Sequence, residues 1–191
     1  MKTGKAIIRW LRFLMILSPP LLLLLLEIRH PLPAHDETPW QTIAESNGWW
    51  LQLHILQLFL FCALGVSVTS LIATSITVAS ALPLLSSVSI FLAFYCTLDA
   101  ITGIASGIIV DYASSLSTPI QLFSNKLIVI FLANPVIGGG TFSATGILGG
   151  GGWMASMFLL ARLAQKEYQI NPVVVVLLIV SGISFGLSHL P

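Results

Sequence analysis

The sequence predicts an all-α fold, a polytopic transmembrane helical bundle of five spans plus one extracytoplasmic amphipathic or re-entrant helix. Three observations carry that prediction. Apolar residues make up 56% of the chain and charged residues 8%, against roughly a quarter charged in a soluble domain. Several apolar runs approach the roughly 20 residues that a helix needs to cross a bilayer, and they follow one another with short connections. Basic residues flank these runs unevenly, with Lys2, Lys5, Arg9 and Arg12 before the first and Arg162 and Lys166 after the fourth. Residues 1–191 therefore read as a single transmembrane domain whose first partner is the lipid bilayer. A net charge of +1 argues against nucleic acid.

The first span is expected over 6–28. Its basic start places the N-terminus in the cytoplasm under the positive-inside rule, and a bacterial plasma membrane is the expected location. A secretory signal peptide has the same basic start. The segment Glu27 to Ala34 is a poor cleavage site, because Leu32 would occupy a position that calls for a small residue, so a retained helix is the expectation. Pro19-Pro20 remove two backbone donors inside it and predict a kink.

Residues 29–48 turn polar, with Pro31, Pro33 and Pro39 and the acids Asp36, Glu37 and Glu45. They are expected to form an extracytoplasmic loop. His35-Asp36-Glu37 read as solvated side chains, since consecutive residues point in different directions and no second ligand cluster accompanies them. The second span is expected over 49–74, opened by the interfacial pair Trp49-Trp50. His54 and Gln57 share a face of it.

The third span is expected over 82–111, after an uncharged turn at Ser75 to Ala81. Asp99, Gly103 and Gly107 recur every four residues along it and form one stripe, a seam at which another helix can come close. An acid at the depth of Asp99 is costly in hydrocarbon and must face protein or water, or carry its proton. Residues 116–134 are the amphipathic or re-entrant segment, because Gln121, Ser124, Asn125 and Lys126 interrupt the apolar run. The fourth span is expected over 141–164, its entrance bracketed by Gly138-Gly139-Gly140 and Gly149 to Gly152. No strand precedes these glycines and no Gly-Lys-Ser/Thr follows, so they predict close helix packing or a locally broken helix instead of a phosphate loop. The fifth span is expected over 172–189 and carries Gly182-x-x-x-Gly186 before His189.

The candidate ligand- or proton-binding residues are Asp99, His54, Gln57 and His189, and the helix-packing candidates are Gly103, Gly107, Gly182 and Gly186. Helical rise places His54 and His189 near the outer surface and Asp99 roughly 10 Å deeper, with Gln57 as the bridge. No second acid inside the membrane is expected beside Asp99, since Asp111 lies three turns away on the same helix. Three functional readings follow. The first is a non-enzymatic bundle with a structural or partner-binding role, its partner or second copy docking through the Gly-x-x-x-Gly seams. The second is a protein that binds or transports a small polar ligand, cation or proton in an intramembrane Asp/His pocket. The third is an intramembrane metal- or haem-dependent enzyme, with haem between His54 and His189. His-Glu-x-x-His is absent from the sequence, and no catalytic residue, metal ligand or cofactor is assigned. Cys62 and Cys96 lack a C-x-x-C partner and read as packing residues.

His54-Ile-Leu-Gln57-Leu, Asp99-Ala-Ile-Thr-Gly103-Ile-Ala-Ser-Gly107 and Ser188-His189-Leu-Pro191 together resemble a group of bacterial multi-pass membrane proteins, over about Trp49 to the end. The resemblance implies a small helical bundle with an extracytoplasmic helix after the third span, and it carries no activity to transfer. It also implies a further helix after the final His-x-Pro, whose place here would be an unfilled groove.

Overall fold

Helices account for 87% of the residues that the computed structural model describes, namely 2–32, 37–72, 77–138 and 142–188, and no strand occurs among them. The order is α1 (Lys2–Glu27), α2 (Pro39–Ile72), α3 (Val78–Leu98), a π-helical segment (Asp99–Ala105), α4 (Ser106–Ser114), α5 (Thr118–Leu132), α6 (Ala144–Tyr168) and α7 (Pro172–Ser188). Four helical stretches are long and apolar enough to cross a membrane: Trp10–Glu27, Gly48–Leu71, Ala79–Ser114 and Ala144–Tyr168. The fifth expected span is α7, a helix of 17 residues at the lower limit of crossing length. His35, Asp36, Ser75, Gly139, Gly140 and His189 lie outside the described residues.

α1 runs unbroken through Pro19 and Pro20. Pro19 has no N–H to offer the carbonyl of Met15, and Ser67 of α2 supplies the missing donor at 2.7 Å. The Arg12 guanidinium reaches the Ser70 carbonyl at 2.6 Å, which gives a second tie between α1 and α2. The two helices are thus joined through backbone groups that the prolines and the helix end leave free.

α2 starts ten residues before the expected Trp49, so the second half of the stretch read as a loop is helical. The cause is a capping box. The Thr38 N–H donates to Gln41 Oε1 at 2.8 Å, and the Gln41 N–H returns to Thr38 Oγ1 at 3.4 Å, with Pro39 in the first helical position. At 34 residues α2 is about 50 Å long, well beyond the hydrocarbon thickness. α3, the π segment and α4 form a second long rod.

The glycine run stays helical. Gly149 and Gly152 face α3, where a Cβ would lie 3.1 Å from the Tyr95 nitrogen and 2.7 Å from the Phe91 nitrogen. Gly150 faces α7, 3.0 Å from the Gly186 carbonyl oxygen, and Gly151 meets nothing within 4 Å. One helix thereby packs closely against two others. Gly182 and Gly186 form the answering seam, covered by Met157 and Met154 of α6. Gly103 and Gly107 are covered by His54, Leu51 and Trp50 of α2. All four glycines expected to admit a partner are therefore closed by this chain's own helices. Gln169 ends α6 in the left-handed conformation at φ 49°, and Asn171 Oδ1 caps the start of α7 on the Val173 N–H at 2.9 Å.

The main core lies among α2, α3, α6 and α7 and includes an aromatic cluster of Phe61, Phe91, Tyr95, Trp153 and Phe185. A smaller core of Ile43, Val110 and Ile128 joins the extended start of α2 to α4 and α5. Replacing Ser67 with alanine leaves the Met15 carbonyl without its donor and should lower stability by about 1 kcal/mol. Thermal unfolding in mild detergent reads this directly, and an unchanged transition would contradict the assigned role of Ser67.

Candidate functional site

The π segment begins at Asp99 and ends at Ala105, at the point where α2 crosses the rod. A π turn inserts one extra residue and alters which backbone groups are paired, and such insertions concentrate at functional sites. The Gly103 carbonyl accepts from the Ser106 N–H and also from the Trp50 indole N–H at 2.8 Å. A Cβ on Gly103 would overlap the His54 ring at Cδ2, Cγ and Nε2. The imidazole lies against the bare backbone, and only glycine leaves room for it.

His54 is oriented from both sides. Its Nδ1 sits 2.8 Å from the Trp50 carbonyl, one turn earlier in α2. A carbonyl only accepts, so Nδ1 carries a proton and donates it. Nε2 then faces Asp99 Oδ1 at 3.9 Å. The His54 and Asp99 side chains are 7% and 9% exposed, which takes the pair out of solvent. The expected 10 Å offset between the two side chains is corrected here: α2 packs on the π segment, and their polar atoms come within 3.9 Å.

Gln57 does not bridge them. Its Nε2 donates to Glu27 Oε1 at 2.6 Å, so Gln57 ties the end of α1 to the site. Glu27, an exposed acid at the end of α1, was not among the expected candidates. It comes from a different helix, which a search along one span cannot find. His30 was also missed. Its ring packs edge-on against His54 and Trp50, at 5.4 Å and 5.6 Å between centroids, and its Nδ1 lies 3.0 Å from the Pro31 carbonyl. The signal for both was Glu27-Ile28-Arg29-His30 at the exit of the first span, an acid and a histidine three residues apart.

Gln57 Oε1 and Asp99 Oδ2 are buried with no hydrogen-bond partner among the described residues. Both are acceptors, and a buried acceptor left unpaired costs about 1–3 kcal/mol. The site is thus short of donors. Outward, His30, Trp50, Thr42 and Glu37 line a cavity of about 290 Å³ beside the start of α2. Among the described residues no three His, Cys, Asp or Glu side chains are arranged to hold a metal ion. Only the Nδ1 of His54 is hydrogen-bonded, on Trp50, while Nε2 lies 3.9 Å from Asp99 Oδ1.

Comparison with protein-family models, with characterised proteins and with solved structures finds no match. The resemblance of the three short motifs stands on those residues alone.

Gly103→Ala forces the His54 ring off the π segment and should cost about 1–3 kcal/mol. Gly151→Ala, on the same criterion, meets open space and should be neutral. Paired unfolding measurements in detergent check the contrast, and equal effects would contradict the close packing of His54 on Gly103.

Proposed function

We propose that this chain is a multi-pass membrane protein whose intramembrane pocket, centred on Asp99 and His54, binds a proton, a small cation or a small polar donor. The observation that carries the reading is the pair of buried acceptors without a hydrogen-bond partner among the described residues, Asp99 Oδ2 and Gln57 Oε1, the latter on a side chain tied to the Glu27 carboxylate. A buried acid and two unpaired buried acceptors call for positive charge or for donors. His54 provides one partner to Asp99, and its fixed Nδ1 leaves Nε2 as the atom that gains or loses a proton when the pocket fills or empties.

Under this reading the chain has five spans, with α7 as the fifth and α5 as an extracytoplasmic amphipathic helix, in a bacterial inner membrane. The basic N-terminus is cytoplasmic, and Arg162 and Lys166 return to the same side. The pocket then sits in the outer half of the bilayer, and His30 lies on the path from the extracytoplasmic surface. A second reading is a structural or partner-binding bundle without a ligand. The glycine seams that close α2 on the π segment and α7 on α6 favour it, since they account for these residues by packing alone.

Native mass spectrometry and elemental analysis of protein prepared in mild detergent separate the two. The pocket reading expects one retained small species per chain, lost in both Asp99→Asn and His54→Ala. Retention in both variants would overturn it. The bundle reading expects nothing retained, with Asp99→Asn folding normally and Gly103→Leu failing to assemble.

A further inference from the structure

Beyond the Asp99 pocket, Glu27 faces a second space. α1 packs on α2 and α7 packs on α6, and a cavity of about 300 Å³ lies between the two pairs. Leu23 and Leu24 of α1 form one wall and Ser181 and Phe185 of α7 the other, with Phe61 and Trp153 as the floor. Glu27 lines the same cavity and is the one charged residue to do so among the described residues. Leu24 and Ser181 are exposed, so the cavity opens on the flank of the bundle, between α1 and α7.

We propose that this cavity binds a lipophilic organic cation, for which Glu27 supplies the counter-charge. Charge complementarity decides the class of occupant. Glu27 receives one hydrogen bond, from Gln57, and among the described residues no Lys, Arg or His reaches ion-pair distance of it. Glu27 is exposed at the mouth of this apolar cavity, and a carboxylate beside apolar walls draws positive charge. A small inorganic cation would lose its hydration to apolar walls that return almost no oxygen ligands. An anion is repelled, and a neutral acyl chain would fill the space without compensating the acid. An ammonium or phosphonium centre with an apolar body suits the acid, the ring faces and the leucines together, although it offers nothing to the Trp153 indole N–H, a buried donor without a partner among the described residues. The charge sits by Glu27, the aromatic faces of Phe61, Trp153 and Phe185 attract a cation through their ring quadrupoles, and the leucines take the body. Aromatic packing holds that floor rigid, with Trp153 and Phe185 centroids 5.7 Å apart and Phe61 and Phe185 6.5 Å apart. The lateral opening suits a ligand that partitions into the bilayer first and enters from its side.

This inference shares Glu27 with the pocket of the preceding section but does not need Asp99 to bind anything. The test uses the full chain in uncharged detergent with tetraphenylphosphonium as the probe, measured by equilibrium dialysis. Tetraphenylborate, of the same shape and opposite charge, is the control. Saturable binding of the cation, one per chain, is expected, with no saturable binding of the borate. Glu27→Gln should weaken the cation by about tenfold or more, Glu27→Asp should retain it, and Asp99→Asn should leave it in place. Ser181→Trp, which fills the cavity from α7 without touching the acid, should also abolish binding, and it decides the matter if Glu27→Gln does not fold. Equal binding of the two probes, or undiminished cation binding by Ser181→Trp, would overturn the proposal. Loss of the cation in Asp99→Asn would also overturn it, because the two sites would then be one.

Discussion

The structure depends on the approach of α2 to the rod formed by α3, the π segment and α4. At that crossing the His54 ring rests on Gly103, and the Trp50 indole donates to the Gly103 carbonyl. Any side chain larger than hydrogen at Gly103 would hold the helices apart. The π turn matters as much as the glycine. It lets one carbonyl serve both the rod, through Ser106, and α2, through Trp50. This contact is what buries Asp99 and His54 together.

The remaining polar groups follow from that crossing. Once α2 is set, Gln57 points at α1 and holds Glu27, while Ser67 and Ser70 hold the N-terminal half of α1 through the carbonyl that Pro19 leaves free and through Arg12. α1 is largely exposed along its length, so these few polar ties fix its register on α2 more than burial does. That looseness leaves the flank open between α1 and α7. The other half of the bundle is built differently, by glycine-mediated contact of α6 with α3 and α7 around an aromatic core. A rigid half and a laterally accessible half meet at Glu27, Gln57 and Asp99.

Much of the fold was legible in the sequence because hydropathy and helix length respond to the same constraint, the thickness of a bilayer. The helical class follows from composition, and the role of Gly103, Gly107, Gly182 and Gly186 in close packing follows from their spacing of four. The start of α2 was less visible, since Thr38-Pro39-Trp40-Gln41 sits in a polar, proline-bearing stretch that reads as loop unless the capping pattern is sought. The site was only partly legible. Asp99 and His54 stand out as polar residues in apolar runs, but helical rise gives depth along each helix and not the tilt that brings one helix to another. Glu27 and His30 were obscured because they lie where a span ends, a position at which charge is unremarked. The π segment leaves no sequence signal that periodicity detects.

The central claim is that His54 is held in one tautomer between Trp50 and Asp99. Nitrogen NMR of the isotope-labelled histidines in detergent micelles or nanodiscs tests it most directly, with His54 assigned by its loss in His54→Gln. The account predicts a single species with the proton on Nδ1 and an Nε2 resonance that moves when Asp99 is replaced by asparagine. An averaged mixture of tautomers, or an Nε2 resonance indifferent to Asp99, would contradict it.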